Sequence, residues 1–274
     1  MAYSNFKPLV WSKKIQHDLP KFTVFESDCD YRFSGEAKKG KTVKILGVSR
    51  PTIGDYTGQD IGKPEIIPDT AVTLPIDQAK FFNFMVDDVD AAQSVDGLMS
   101  ALLEESTRAM AEQRDIYIAS LVKEAGQCVS VDSITTPENA KDAIDEALTL
   151  LWKNGVSQKD DVTVYLNPVT YMLFQDYVTQ LKTNNDATLA NGLLGCYAGA
   201  KIKMSNNFYK DGNKEYMFVK TSKAIAFCGG IDEVEAYRPE GLFCDAVKGL
   251  NTFGGKIIRP KELVVIKASN VKAN

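Results

Sequence analysis

The chain has 274 residues, with 32 Lys and Arg against 36 Asp and Glu, a net charge of −4 and one histidine. Its length allows two ordinary domains or one large one, and its composition is that of a globular protein. The acidic balance argues against a dedicated nucleic-acid binder, whose contact surface is usually basic. With His17 as the single imidazole, metal sites that need two or three histidines are excluded.

The cysteines indicate a reducing compartment. There are five of them, an odd number, and no C-x-x-C pair occurs. We expect reduced thiols rather than a disulfide framework or a zinc ribbon. The first residues lack the apolar core of a signal peptide, and no apolar run approaches the ~18 residues of a membrane span. These features predict a protein that is made in and stays in a cytoplasm, with no membrane partner.

The first third of the chain is predicted to be an arm followed by a long β hairpin. Residues 1–22 show no sustained periodicity and are interpreted as an extended arm. Strand-like runs follow at 22–25, 42–46, 71–74 and 79–86, and residues 35–40 are interpreted as a turn at the tip of a hairpin. A hairpin of this kind buries little of itself, so it needs something to pack against.

The middle of the chain predicts a long helix. Residues 98–125 contain neither Pro nor Gly and precede Gly126, which indicates a spine helix of about 28 residues. Two apolar stripes run along it. Glu104, Arg108, Glu112 and Asp115 share the remaining side at helical spacing, which predicts an exposed face with ion pairs.

The second half alternates between helices and strands. Thr136-Pro137 starts a predicted helix that ends at Asn154-Gly155, and Asn167-Pro168 starts another that runs to 181. A polar stretch spans 183–190, and Asp211-Gly212 is a predicted hairpin turn. Strands are expected at 162–166, around 202, and at 216–219, 224–227, 234–237, 256–258 and 263–266. The predicted class is α+β.

One motif suggests a nucleotide site, but its surroundings do not support it. Residues 35–42 match the pattern G-x-x-x-x-G-K-[ST] of a phosphate-binding loop, with Lys41 as its lysine. The mechanism needs a helix directly after the motif. Val43, Ile45 and then Pro51 follow instead, which predicts a strand. A nucleotide-binding enzyme therefore remains a minor alternative.

Charge is unevenly distributed. Between residues 32 and 50 six bases face one acid, a net +5, and between residues 87 and 115 eight acids face two bases, a net −6. Two solvated surfaces would explain this. Alternatively, the basic hairpin of one copy lies across the acidic helix of the next, a head-to-tail contact of the kind that closes rings. The candidate contacts are Arg32, Lys38, Lys39, Lys41, Lys44 and Arg50 on the hairpin, and Glu104, Glu105, Glu112 and Asp115 on the helix.

With these elements in order, the chain resembles the major capsid proteins of tailed bacteriophages, of the Hong Kong 97 type. The resemblance covers nearly the whole length, and the order of the parts carries it more than any single motif. The similar segments are residues 80–93 before the spine helix, Tyr165-Leu166-Asn167-Pro168, residues 199–207, Val247-Lys248-Gly249-Leu250 and residues 253–260.

The resemblance implies a domain plan and a role. It implies an N-terminal arm (1–22), an extended loop (23–86), a peripheral domain with the spine helix (87–136), an axial domain (137–240) and a return to the peripheral domain (241–274). Copies would form hexamers and pentamers, and these an icosahedral shell in the virion around double-stranded DNA, without sequence-specific binding. Neither catalysis nor a cofactor is expected.

Further features follow from the same resemblance. The flexible axial loop of the family corresponds to residues 184–194, with Asn184, Asn185, Asp186, Asn191 and Gly192. Because the chain starts at the arm, any scaffolding protein would be a separate chain, and a portal and a decoration protein are further partners. Some relatives crosslink a loop lysine to a neighbour's asparagine, which we do not expect here.

An encapsulin-type compartment shell, which shares the fold, is the main alternative function.

Overall fold

The computed structural model describes residues 24–34, 42–48, 53, 69–87, 98–158, 160–180 and 195–269. Its helices are α1 (Leu98–Leu121), α2 (Pro137–Lys153) and α3 (Pro168–Gln180). Short 3-10 helices lie at Glu26–Asp28, Val122–Glu124 and Pro260–Glu262. The strands are β1 (Thr42–Val48), β2 (Asp69–Pro75), β3 (Gln78–Asp87), β4 (Cys128–Val131), β5 (Val162–Leu166), β6 (Cys196–Tyr197), β7 (Ala200–Met204), β8 (Lys210–Asp211), β9 (Lys214–Thr221), β10 (Ile225–Tyr237), β11 (Cys244–Ile257) and β12 (Leu263–Ser269).

The main core lies around a seven-stranded mixed sheet. Its strand order is β4-β12-β9-β5-β7-β6, and β8 pairs with β9. All five residues of β5 are buried, and α2 contributes a stripe of buried residues at helical spacing: Ala140, Ala143, Ile144, Ala147, Leu148 and Leu151. The α2 N-terminus forms as expected, because the Thr136 side chain accepts a hydrogen bond from the Asn139 amide and Pro137 stands at the first turn.

The second sheet has three antiparallel strands in the order β10-β11-β3. Because side chains alternate along a strand, odd-numbered residues of β11 face α1 and even-numbered residues face the other way. On the α1 side, the Tyr117 ring lies 5.4 Å from the Phe253 ring. On the other side, the β1–β2 hairpin packs Val43, Ile45 and Leu74 against Ala226 and Cys228.

Gly254 is where the hairpin comes closest to this sheet. A Cβ added at this position would lie 1.9 Å from the carbonyl oxygen of Pro75, far inside van der Waals contact. The close packing of β2 on β11 therefore requires glycine at this position. The hairpin covers the even-numbered side of β11 near Gly254.

Most predicted elements of the second half are confirmed, with shifted ends. The spine helix ends at Leu121 and continues as a 3-10 turn rather than as α-helix to residue 125. The expected strand at 22–25 is wrong for Val24 and Phe25, whose amides bond to a carboxylate instead of to another strand. The runs predicted at 224–227 and 234–237 are one strand, β10, with an irregularity between Gly229 and Asp232.

The hairpin differs from the prediction in where it closes. In the β1–β2 pair, Thr42 lies opposite Pro75 and Val48 opposite Asp69, so the connection comprises residues 49–68. The prediction that Lys38, Lys39 and Lys41 form the hairpin tip is therefore wrong, because these residues, which lie outside the described ranges, precede β1. Thr42 also begins a strand and not a helix, which removes the main structural requirement of a phosphate-binding loop.

Candidate assembly surfaces

Residues 24–30, here called the anchor segment, attach the start of the described chain to both sheets and to α1. Asp115 of α1 accepts hydrogen bonds from three successive amides: Val24 at 2.8 Å, Phe25 at 3.1 Å and Glu26 at 3.0 Å. At the other end of the segment, the Asp30 amide donates to the carbonyl oxygen of Ile225, and the Phe227 amide donates to that of Asp30. The segment thus connects the helix to the first residues of β10.

Asp28 connects the anchor segment to the seven-stranded sheet. Its Oδ2 accepts hydrogen bonds from the Tyr165 hydroxyl at 2.5 Å and from Lys203 Nζ at 2.6 Å. Burial acts to raise the pKa of Asp28, but these two donors outweigh it and hold the pKa below its ordinary value. Buried Lys220 donates to the Asp28 carbonyl oxygen, and burial lowers the pKa of that lysine.

Apolar packing closes the same site. The fully buried Phe25 ring lies 5.2 Å from Tyr165, 5.3 Å from Phe208 and 5.0 Å from Phe218. Burial raises the pKa of Cys29 to about 11, so its thiol stays protonated at neutral pH. The charged groups of the anchor segment are therefore paired, and its thiol is protonated. These are the features of a fixed structural element.

The position of Asp115 corrects the predicted acidic face. The sequence pattern places it on the exposed side of the helix, but it is fully buried, because its carboxylate caps the amides of the anchor segment. Burial raises its pKa despite those three hydrogen bonds. The prediction that Asp115 is an exposed residue is wrong. Because its carboxylate is buried inside the subunit, it does not belong to a surface that a neighbouring copy could contact.

The other three acids of α1 remain at or near the surface. Glu104 and Glu105 both form ion pairs with Arg108, and the Glu105 pair is 3.0 Å long. These pairs partly neutralise the two acids. Glu112 is half-buried. Arg114 pairs with Glu26 of the anchor segment at 3.2 Å. The acidic face is therefore smaller and weaker in charge than the composition suggests.

The structure describes two of the six predicted basic contacts. Arg32 forms a bidentate ion pair with Asp30, with Nη2 to Oδ2 at 2.6 Å, while its side chain remains largely exposed. Lys44 is exposed on β1. The remaining site residues named from the sequence lie outside the described residues: Lys38, Lys39, Lys41, Arg50, Asn184, Asn185, Asp186, Asn191 and Gly192.

Sequence reasoning missed an exposed surface on the three-stranded sheet, here called the outer face. The pairing register puts three cross-strand rows on it: Phe81–Leu250–Glu233, Asn83–Lys248–Glu235 and Met85–Ala246–Tyr237. Phe81 is 78% exposed, Met85 63% and Leu250 40%. Residues of the first two rows line a groove of about 340 Å³.

Polar contacts order part of this face. Lys248 pairs with Glu235 at 3.0 Å and lies over the Tyr237 ring, and the Tyr237 hydroxyl donates to Asn83 at 3.2 Å. Glu233 has no ion-pair partner among the described residues. The run Phe81-Phe82-Asn83-Phe84 is apolar on both sides, so its sequence does not reveal which side is covered. On the α1 side, the Phe82 ring occupies the space above Gly249.

Two kinds of feature are absent from the described ranges. No group of three or more His, Cys, Asp or Glu side chains is arranged there to hold a metal ion. None of the described helices is long and apolar enough to cross a membrane.

Comparison with solved structures gives strong matches over almost the entire chain. A structure from Mycobacterium phage Che8 superposes with a TM-score of 0.83 at 32% identity, covering 97% of this chain and 98% of that one. The capsid of the cyanophage P-SCSP1u matches with a TM-score of 0.80 at 16% identity, over 97% and 94% of the two chains. The mature capsid of bacteriophage PhiM1 matches with a TM-score of 0.75 at 15% identity, over 98% and 95%. No sequence-family model and no curated protein matches the chain.

The α+β fold matches phage capsid folds. At 32% identity over nearly the full length of both chains, the relationship to the Che8 structure extends beyond the fold. The chain belongs to the major capsid proteins of tailed bacteriophages. Such proteins are structural components of the virion that associate with copies of themselves in a shell, and the matches do not favour the encapsulin alternative.

Proposed function

We propose that copies of this chain assemble through hexamers and pentamers into an icosahedral shell around a double-stranded DNA genome. The observation that carries this proposal is the match to phage capsid structures over 97% of the chain. The net charge of −4 supports a wall that encloses DNA without binding a particular sequence. Assembly would take place in the host cytoplasm, and the subunit would need no cofactor and catalyse no reaction.

We also propose a revised domain plan. The seven-stranded sheet with α2 and α3 would be the axial domain, and the three-stranded sheet with α1 would be the peripheral domain. Compared with the boundaries expected from the sequence, this moves β4 and β12 to the axial domain, and β3 and β10 to the peripheral domain, in agreement with the strand pairing. The β1–β2 pair would be the base of the extended loop, and residues 184–194 the axial loop.

The basic segment of the extended loop would contact the acidic residues of α1 in the next copy around a ring. Lys38, Lys39, Lys41, Lys44 and Arg50 would supply the positive charge, and Glu104, Glu105 and Glu112 the negative charge. Glu104 is the most available of the three, with its side chain 54% exposed. Charge complementarity of this kind sets register and orientation more than affinity. A separate scaffolding protein, a portal and a decoration protein would complete the particle.

Negative-stain electron microscopy of the purified protein, with and without a candidate scaffolding protein, tests the shell proposal. We expect shells, rings or capsomers. A protein that stays monomeric under all conditions would contradict it.

A charge-reversal variant tests the contact between copies. Changing Lys38, Lys39 and Lys41 together to Glu should impair assembly and leave the circular dichroism of the subunit unchanged. The matched control reverses three exposed lysines elsewhere, Lys153, Lys223 and Lys261, with the same total change in charge. Normal assembly of the first variant, or equal impairment in both, would refute a specific role for the basic segment.

A further inference from the structure

One side of the seven-stranded sheet carries lysines held over aromatic rings. Lys123 Nζ lies 5.8 Å from the centre of the Tyr209 ring, and Lys267 Nζ lies 4.9 Å from that of Tyr216. The two rings are in edge contact, with their centres 5.2 Å apart, and the Tyr216 amide donates a hydrogen bond to the Tyr209 carbonyl oxygen at 3.0 Å. These four residues, together with Lys214, are here called the lysine row.

The strand register decides which charges share this side of the sheet. Lys214 and Tyr216 are two residues apart on β9 and therefore point to the same side, and Lys267 of β12 lies opposite Tyr216. Lys210 and Glu215 point to the other side and pair with each other at 2.6 Å. The alternation thus separates the three lysines of the row from the nearest ion pair.

The acids around the lysine row neutralise it only in part. None of its three lysines forms an ion pair with another described residue. Asp211 lies on the same side and accepts a hydrogen bond from the Tyr216 hydroxyl at 3.5 Å, and Asp132 directly follows β4, the strand next to β12. Glu124, which ends the same 3-10 helix, pairs with Lys256 at 3.7 Å instead. The row therefore keeps a small positive excess.

The arrangement suits a linear polyanion better than a single ion. The three distances place the Nζ atoms of Lys123 and Lys267 no more than about 16 Å apart, a length over which B-DNA carries about nine phosphate charges. Each ammonium group has three hydrogen-bond donors, and a ring beneath it stabilises its position without using the donors that point to solvent. A duplex lying along the row could contact all three lysines at once.

We propose that the lysine row is a sequence-independent contact site for the phosphate backbone of double-stranded DNA. This inference rests on the proposed function, because it assigns the row to the surface of the shell that faces the genome. The lysines would bind phosphates, and Tyr209 and Tyr216 would position Lys123 and Lys267 rather than stack on bases, which are paired in a duplex. A site of three lysines gives weak binding, in agreement with the acidic balance of the whole chain.

The salt dependence of DNA binding tests the proposal on the full-length, unassembled subunit. Fluorescence anisotropy measures its affinity for a short labelled duplex as the salt concentration rises. Because each phosphate contact releases counterions, Lys123→Gln, Lys214→Gln and Lys267→Gln should each reduce the slope of log K against log salt by about 0.9. The triple variant should bind at least about tenfold more weakly at low salt. Unchanged slopes in the single variants would overturn the proposal.

Three lysines at the opposite end of β9 and β12 provide the matched control. Lys153→Gln, Lys223→Gln and Lys261→Gln remove the same charge from exposed positions and should leave the slope unchanged. Equal reductions in both sets would show a general effect of charge and refute a defined site. Circular dichroism checks that each variant folds. If Lys267→Gln does not fold, the two exposed lysines of the row, Lys123 and Lys214, decide the result.

Lysine acetylation, followed by mass spectrometry, identifies the kind of polyanion. Acetylation of the row should slow about threefold when duplex DNA is added, because bound phosphates shield the amines. Inorganic phosphate or polyglutamate at the same concentration of charge should give no such protection. Equal protection by inorganic phosphate would indicate a simple anion site, and equal protection by polyglutamate an acidic protein partner. Either result would overturn the proposal.

The same measurement on particles connects the site to the shell. Acetylation of Lys123 and Lys214 should be slower in DNA-filled shells than in shells without DNA. Equal rates in the two kinds of shell would overturn the assignment of the row to the surface that faces the genome. Since electron microscopy reports assembly separately, normal shells with equal rates refute the DNA contact while leaving the shell proposal intact.

Discussion

The two sheets differ in how completely they bury their side chains. Around the seven-stranded sheet, even the charged group of Lys220 is buried, and it has a hydrogen-bond partner. On the three-stranded sheet, Phe81 and Met85 remain mostly exposed and Glu233 has no ion-pair partner among the described residues. A buried group contributes to the stability of the single subunit, whereas an exposed apolar row contributes only when something covers it. The first sheet and the α1 side of the second therefore stabilise the fold, and we propose that the outer face of the second sheet serves assembly.

The largest expected difference in the free energy of unfolding is between variants at two phenylalanines, Phe25 and Phe81. Phe25→Ala should lower the free energy of unfolding by about 3–5 kcal/mol, because it leaves a cavity among Tyr165, Phe208 and Phe218. Phe81→Ala should change it by less than about 0.5 kcal/mol, since that ring is already exposed. Chemical denaturation of both variants measures this, and similar losses at the two positions would remove the contrast between the sheets.

Replacing Asp115 should lower the free energy of unfolding almost as much as replacing Phe25. The sequence pattern alone predicts that Asp115 is exposed on an acidic helix face. Asp115→Ala leaves three amide donors of the anchor segment without their acceptor and should cost about 3 kcal/mol. Asp115→Asn keeps one acceptor oxygen and removes a charge that burial disfavours, so its loss should be smaller. Glu104→Ala on the same helix is the exposed control, with a change within about 0.5 kcal/mol. Equal effects of Asp115→Ala and Glu104→Ala in denaturant titrations would contradict the anchor.

A smaller effect is expected where the hairpin packs on the three-stranded sheet. Gly254→Ala puts a methyl group against the backbone of Pro75 and should destabilise the subunit by about 1–3 kcal/mol. Gly229→Ala in the adjacent strand has nothing within 4 Å of the added carbon and is the matched control. Thermal unfolding compares the two, and a Gly254→Ala variant as stable as Gly229→Ala would mean that the hairpin does not pack as described.

The smallest effect concerns pH. The pKa of Asp28 lies below its ordinary value of 3.8, so its ionised form stabilises the fold at higher pH, and this contribution disappears as the pH falls through the lowered pKa. Unfolding titrations between about pH 5 and pH 3 should show a steeper loss of stability in the natural protein than in Asp28→Asn. Parallel curves for the two proteins would show that Lys203 and Tyr165 do not stabilise the charge.

Local patterns predicted most of the elements, but not their tertiary partners. The Thr136-Pro137 cap, the buried strand at 162–166 and the Asp211-Gly212 turn depend on neighbouring residues, and all three are confirmed. The burial of Asp115 could not be predicted from helical spacing, because its partners lie about 90 residues earlier in the chain. The strand β11 was seen only near its end, because Gly249, Gly254 and Gly255 interrupt its pattern for reasons that involve Phe82, Pro75 and Leu121.

For the candidate contact residues, the sequence predicted the charge of each side chain. It did not predict whether that side chain is exposed and free of an ion-pair partner within the subunit. The acids of α1 were identified by counting, yet Arg108 pairs with two of them and one is internal. The outer face was missed because the exposed and covered sides of β3 are both apolar. The register with β11 and β10 is a long-range feature that no local pattern contains.

Hydroxyl-radical footprinting of unassembled subunits and of assembled shells tests most directly whether the outer face is covered only in the shell. Oxidation of Phe81 and Met85 should be fast in the subunit and fall sharply in the shell, while Met217, fully buried in the seven-stranded sheet, should be protected in both. Equal oxidation of Phe81 and Met85 in both states would contradict an assembly role for the three-stranded sheet.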